Sequence, residues 1–113
     1  MLLDSDQNRL RHMIEAAQEA VGYVEGLTRE AFDSQRPLQH SVVRCIEVIG
    51  EAASRISSEL RNAYPTIPWQ DMTGMRNRLI HAYFDLDLDL VWQTVNEELP
   101  NLIPQLDALL ESR

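Results

Sequence analysis

LQHSVVRCIEVIGEAASRISSEL, residues 38–60, is the most regular stretch of the chain. Val42, Cys45, Ile46, Ile49, Ala53 and Ile56 recur at steps of three and four, which predicts one buried stripe on a long amphipathic helix ending near Leu60. Gly50 interrupts good helix formers, and a glycine inside a helix costs about 0.5–1 kcal/mol against alanine. Followed by Ala52 and Ala53, it points to a second helix crossing closely at that spot, and such an approach would bring Glu51 near whatever that neighbour carries. The ladder Arg44, Glu47, Glu51, Arg55 reads otherwise as a solvated face laced by salt bridges.

Further helices lie on both sides of this one. Leu10, Ile14, Ala17, Val21 and Val24 predict a first helix with Asp4 or Ser5 as its N-cap. Gly26 and Thr28 punctuate, and Arg29 to Asp33 predicts a short helical turn before Pro37. After the break at Tyr64-Pro65-Thr66-Ile67-Pro68, Trp69 opens a helix running through Met72, Met75, Leu79 and Ala82. Leu90, Val91 and Val95 with Trp92 mark another, capped by Asp87 or Asp89, and Leu102, Ile103, Leu106, Leu109 and Leu110 a last one. With no Asn-Gly or Asp-Gly hairpin signal, the expected fold is all-α: an antiparallel bundle of four to five helices forming one domain over residues 1–113. Trp69, Trp92, Met72 and Met75 read as packing groups, and His12 and His40 as surface residues.

Composition narrows the chemistry. At 113 residues, 44% hydrophobic and 25% charged, the chain fits one globular domain and neither a disordered nor a fibrous class. No apolar run approaches the ~18–20 residues of a membrane span, and Met1-Leu2-Leu3 followed by Asp4 and Asp6 lacks the start of a signal peptide, so a cytoplasmic protein without membrane partners is expected. The one cysteine, Cys45, cannot form an intramolecular disulfide, and no Cys/His group has zinc spacing. Asp85, Asp87 and Asp89 resemble the opening of a calcium loop, but Leu90 stands where the loop needs glycine and Asn96 where it needs a bidentate glutamate. No metal or cofactor is expected. The net charge is −8, and all ten basic residues are arginine. Such a surface repels nucleic acid on average, so phosphate recognition must be local and built from a few positioned guanidinium groups.

The segment MRNRLIHAY, residues 75–83, has those groups. On an ideal helix, Asn77 and His81 fall roughly 40° apart and nearly opposite the core stripe of Met72, Met75, Leu79 and Ala82. Arg76 and Arg78 flank them, and Ile80 and Phe84 lie on the same outward side, an apolar pair that asks for a partner. A C2 dimer would join two copies of this face into a cleft lined by arginine, asparagine and histidine. Histidine can take and give protons near neutrality, arginine can stabilise charge on a phosphorane, and a neutral amide can orient substrate. A ribose 2′-hydroxyl supplies its own nucleophile, so these residue types suffice for RNA cleavage without metal. On an ideal helix, however, Arg76 and His81 stand roughly 140° apart. They meet at one phosphate only if the arginine wraps, the helix loosens or a partner supplies one of them. Tyr83 points partly toward the core unless the helix ends near His81.

Arg76-Asn77-Arg78-Leu79-Ile80-His81-Ala82-Tyr83 resembles the R-x4-H-x-Y motif of the HepT-like branch of HEPN domains, with Asn77 as the polar residue after the arginine. Gly50-Glu51-Ala52-Ala53, Ile67-Pro68-Trp69, Asp89-Leu90-Val91-Trp92 and Leu99-Pro100 are similar to other recurring segments of that family, from about residue 8 to about residue 110. The resemblance implies an all-α homodimer and a metal-independent endoribonuclease that leaves cyclic phosphate ends. By the same resemblance Arg76 and His81 are the catalytic pair with Asn77 in support; Arg78, on the same polar face, and Glu51, beside the close crossing, are expected to bind the substrate. It further implies a toxin paired with a minimal nucleotidyltransferase antitoxin, which transfers AMP to Tyr83. The alternative reading is a non-catalytic dimer that binds RNA, nucleotide or a nucleotidyltransferase with the same arginines.

Overall fold

In the computed structural model, residues 2–82 and 85–111 are described, the side chains of His81 and Ala82 excepted. Two long helices form the centre: α1 (Asp4–Val24) and α3 (Arg36–Ser54). They run antiparallel, because Asp6 at the start of α1 bonds Ser57 just beyond α3, while Glu19 and Tyr23 meet His40 and Ser41 near its beginning. Gly26, at φ 76°, makes the turn between them, where a side chain would be strained. Thr28 then accepts the Ala31 N–H to start α2 (Arg29–Asp33), the short helix expected there. Gln39 is buried and donates to the Phe32 and Asp33 carbonyls, which ties the end of α2 onto α3.

The helix expected to reach Leu60 stops at Ser54, and α4 (Ser58–Ala63) begins afresh. A buried carboxylate decides this. Asp6 accepts from Ser57 N at 2.9 Å and Ser57 Oγ at 2.6 Å, while Ser57 Oγ caps α4 by accepting Leu60 N. Ile56 and Leu60 remain buried across the break, so the apolar spacing survives a change of direction that it does not encode. Asp6 is thereby engaged elsewhere, and the first helix has Leu3 at its N-cap with no side-chain bond, in place of the expected Asp4 or Ser5.

Helix α5 (Trp69–Leu79) packs on the side of α3 away from α1, with Trp69, Met72, Met75 and Leu79 buried as expected. It ends earlier than its apolar period suggests. Ile80 is already extended (φ −116°, ψ 110°), and β1 (Ile80–Ala82) pairs antiparallel with β2 (Asp85–Leu86), Ile80 opposite Leu86 and Ala82 opposite Asp85. The Asp87 N–H donates to the Leu79 carbonyl at 2.8 Å, which satisfies a helix-end acceptor and closes the pair. Among the described residues this small pairing, for which no hairpin signal exists, is the one departure from an otherwise all-α bundle.

Asp87 caps α6 (Leu88–Gln93), which continues through a π turn (Thr94–Glu98) into α7 (Leu99–Glu111). The two helices expected here are therefore one rod. Its wider turn directly precedes Pro100, whose ring would crowd the Asn96 carbonyl of a regular α-helix. α7 lies against α1, and Trp92 packs on Phe32 in a tilted arrangement with ring centroids 5.2 Å apart. Among the described residues, no helix is long and apolar enough to cross a membrane.

Gly50 sits at a close approach of α3 and α5: a Cβ there would lie 2.8 Å from the Met72 carbonyl oxygen. That obstacle is backbone and cannot swing aside. Gly50→Ala is expected to destabilise the fold by about 1–3 kcal/mol through overpacking, more than the ~0.5–1 kcal/mol that alanine returns in helix propensity. Thermal denaturation checks this, and a melting temperature equal to or above that of the wild type would contradict the close approach.

Candidate functional site

The last turn of α5 presents Arg76, Asn77 and Arg78, all exposed. Cations suit that position, since a helix C-terminus carries partial negative charge. Arg76 reaches across to α3, where its Nε donates to Glu47 Oε2 at 2.8 Å. Arg78 folds back, with Nη2 3.5 Å from the Asp71 carbonyl oxygen.

His81 belongs to β1, two residues past the end of the helix, so the helical angle assigned to His81 does not apply. The roughly 140° separation that kept Arg76 from His81 is a property of an uninterrupted helix, and this chain does not have one there. Ile80, expected to face outward, is instead half-buried against the core. Tyr83 and Phe84 lie outside the described residues.

Glu51 is not what the close approach brings to α5. It is exposed, lies on the α1 side of α3, and accepts from Arg55 Nε at 3.0 Å, one turn on at the helix's C-cap. There it borders a groove of about 370 Å³ shared with Arg9, His12 and Arg44. Glu47 takes the place expected of Glu51. The sequence carries the signal for it: Glu47 is three residues before Gly50 and shares its face, whereas Glu51 has turned about 100° away. A second feature missed in the sequence is the pair Arg36 and His40, one turn apart on α3, which border a small cavity of about 130 Å³ with Asp85, Leu86 and Leu88. They stand beside the strand that pairs with the one containing His81.

The remaining reactive candidates have other partners. Burial pushes the Cys45 thiol up to about 11, assisted by the nearby Glu19 carboxylate, so it stays protonated and unreactive near neutrality. Asp89 pairs with Arg29 at 2.8 Å and Asp87 caps α6, which gives the Asp85-Leu86-Asp87-Leu88-Asp89 stretch structural work. The Arg29 guanidinium is held protonated by bonds to Asp33 and Asp89. Among the described residues, no three His, Cys, Asp or Glu side chains gather where they could hold a metal ion.

The family described as ribonuclease HepT-like matches this chain over residues 13–109. A Thermococcus cleftensis protein named probable ribonuclease HepT is 38% identical over 100 residues, covering 85% of this chain and 91% of its own. A Methanocaldococcus jannaschii protein named as a candidate RNase is 33% identical over 102 residues, covering 90% of this chain and 84% of its own. Another so named, from Caldanaerobacter subterraneus subsp. tengcongensis, is 32% identical over 102 residues, covering 90% and 91%. No solved structure matches.

The path of the chain after α5 depends on Asp87, which closes the strand pair through its N–H and caps α6 through its carboxylate. Asp87→Ala is expected to cost about 1 kcal/mol of stability and to speed hydrogen exchange at the Leu90 amide, with Asp87→Asn largely restoring both. Unchanged exchange at Leu90 in the alanine variant would show that the cap does not form.

Proposed function

This chain belongs to the ribonuclease HepT-like family, and from that membership we propose that it is a metal-independent endoribonuclease acting as a C2 dimer in the cytoplasm. The observation that carries the proposal is the exposed Arg76-Asn77-Arg78 turn, followed after a single buried leucine by the strand that contains His81. A helix that ended later would have sent histidine and arginine in different directions; the early end removes that conflict.

In the proposed reaction His81 accepts the proton of a ribose 2′-hydroxyl. The 2′-oxygen forms a bond to the adjacent phosphorus, and the bond from phosphorus to the 5′-oxygen breaks. A proton passes to the departing 5′-oxygen, leaving a 2′,3′-cyclic phosphate and a 5′-hydroxyl. Arg76 stabilises the charge that develops on the phosphorane, and Asn77 orients the phosphate without adding charge. Arg78 contacts a neighbouring phosphate, and Glu51 accepts from an RNA hydroxyl or base amino group on the α1 side. The partner subunit repeats the arrangement across the twofold axis.

The same reading makes the protein a toxin held in check by a minimal nucleotidyltransferase antitoxin. The Tyr83 hydroxyl attacks the α-phosphorus of ATP, a phenolic oxygen–phosphorus bond forms, and pyrophosphate leaves. A bulky anion two residues from His81 would then repel RNA phosphate.

Recombinant protein should cleave RNA to cyclic-phosphate ends, with His81→Ala losing at least ~10²-fold of the rate while remaining folded. EDTA should leave the wild-type rate unchanged. Equal cleavage by the variant, or loss of activity in EDTA, would rule out this mechanism; RNA binding without cleavage by the wild type would favour the non-catalytic binding dimer.

Incubation with ATP and the cognate nucleotidyltransferase should add one AMP to Tyr83 and abolish cleavage, read by mass spectrometry and the same assay. An unmodified yet silenced protein would mean that the antitoxin acts by binding alone.

A further inference from the structure

We infer that Glu47 is a positioning residue for Arg76, fixing the guanidinium so that its terminal nitrogens are presented to the scissile phosphate. The inference rests on the ribonuclease reading above and adds to it a group from another helix.

An exposed arginine has a long flexible stem, and a charge that stabilises a transition state must be held in place before the reaction begins. Arg76 has a side chain 56% exposed, whereas Glu47 is 30% exposed and set into the seam between α3 and α5. Their bond joins residues 29 apart in sequence, unlike the Arg55–Glu51 and Arg29–Asp33 pairs, each formed over a single turn. The pair also sits beside the close approach of α3 to the α5 backbone. Gly50 lies one turn beyond Glu47 on α3, and Met72, whose carbonyl crowds Gly50, one turn before Arg76 on α5. The backbone spacing that glycine permits thus determines how far the Glu47 carboxylate must reach.

The atom used matters as well. Glu47 takes the hydrogen on Nε, the inner edge of the guanidinium fork. Nη1 and Nη2 form the outer edge, the pair of parallel donors with which arginine binds phosphate oxygens two at a time. The anchoring carboxylate cancels most of the charge of Arg76 toward distant RNA. Arg76 therefore contributes directed hydrogen bonds in the transition state, and Arg78, with no carboxylate partner among the described residues, contributes more of the ground-state attraction.

This division predicts a separation of kcat from KM. Glu47→Ala should lower kcat by about 10- to 100-fold, as small misplacements of catalytic groups do, with KM unchanged or lower because an anion has been removed. Glu47→Gln keeps an acceptor for Nε–H and should recover most of kcat. In an Arg76→Ala background the additional Glu47→Ala change should have no effect, since the two residues act as a unit. Asp33→Ala, which breaks a surface ion pair of similar length, is the control and should leave kcat as it is. The Arg76 Nε–Hε resonance in 15N NMR should exchange more slowly than that of Arg78, and the difference should disappear in Glu47→Ala. Glu47→Ala with wild-type kcat, an additive effect in the Arg76→Ala background, or Nε exchange equal to that of Arg78 would each overturn the inference while leaving the ribonuclease reading standing. A wild-type protein that cleaves no RNA would overturn that reading first.

Discussion

The contact between Gly50 and the Met72 carbonyl sets the spacing of the site. Helices with ordinary side chains at their crossing stand about 8–10 Å apart. Removing one Cβ brings α3 against the α5 backbone, where only hydrogen fits. From that single approach follow the reach of Glu47 to Arg76 and the placement of the last turn of α5 at the edge of the bundle. The buried residues of α3 serve α1 on one side and α5 on the other, so any widening of the second seam would expose apolar surface and stretch an ion pair together.

The end of α5 supplies the second element. A helix places successive side chains about 100° apart, which suits a core stripe but scatters neighbouring polar groups. By stopping at Leu79 the chain leaves its guanidinium and amide groups on a rigid helix and its histidine on an extended segment with different geometry. The stop is stabilised from downstream: the Asp87 N–H satisfies the Leu79 carbonyl, and the Asp87 carboxylate starts the next helix. One residue thereby closes one helix, opens another and fixes the length of chain between them.

How much of this was legible follows from where the determining partner lies. Heptad-like spacing over Leu38 to Ile56 gives the α3 core face directly, and the glycine within it announces the crossing, because both are local properties of the chain. The break after Ser54 is not local. It depends on a carboxylate at position 6 bonding to position 57, 51 residues away, and Ile56 and Leu60 keep the helical period through the interruption. The end of α5 misleads for the same reason, since Leu79 and Ala82 continue the stripe while the bond from Asp87 and the pairing of Ile80 with Leu86 come from further along the chain. Glu47 is within reach of sequence reasoning, since it shares the face of Gly50 whereas Glu51 does not. Adjacency to Gly50 along the chain is a poorer guide to shared contact than a spacing of three.

An acidic chain of net charge −8 with no lysine places unusual weight on the partners of each arginine. Arg29 and Arg55 are taken up by carboxylates of the fold, and Arg76 by Glu47 through its Nε. A lysine at position 76 would give the same carboxylate a compact ammonium and no planar fork with two parallel donors for phosphate oxygens. Guanidinium can be anchored and still present two parallel donors. On a surface that repels RNA at long range, attraction has to come from such short-range directed bonds, and its strength should fall only modestly with salt compared with a protein that binds through a broad basic face.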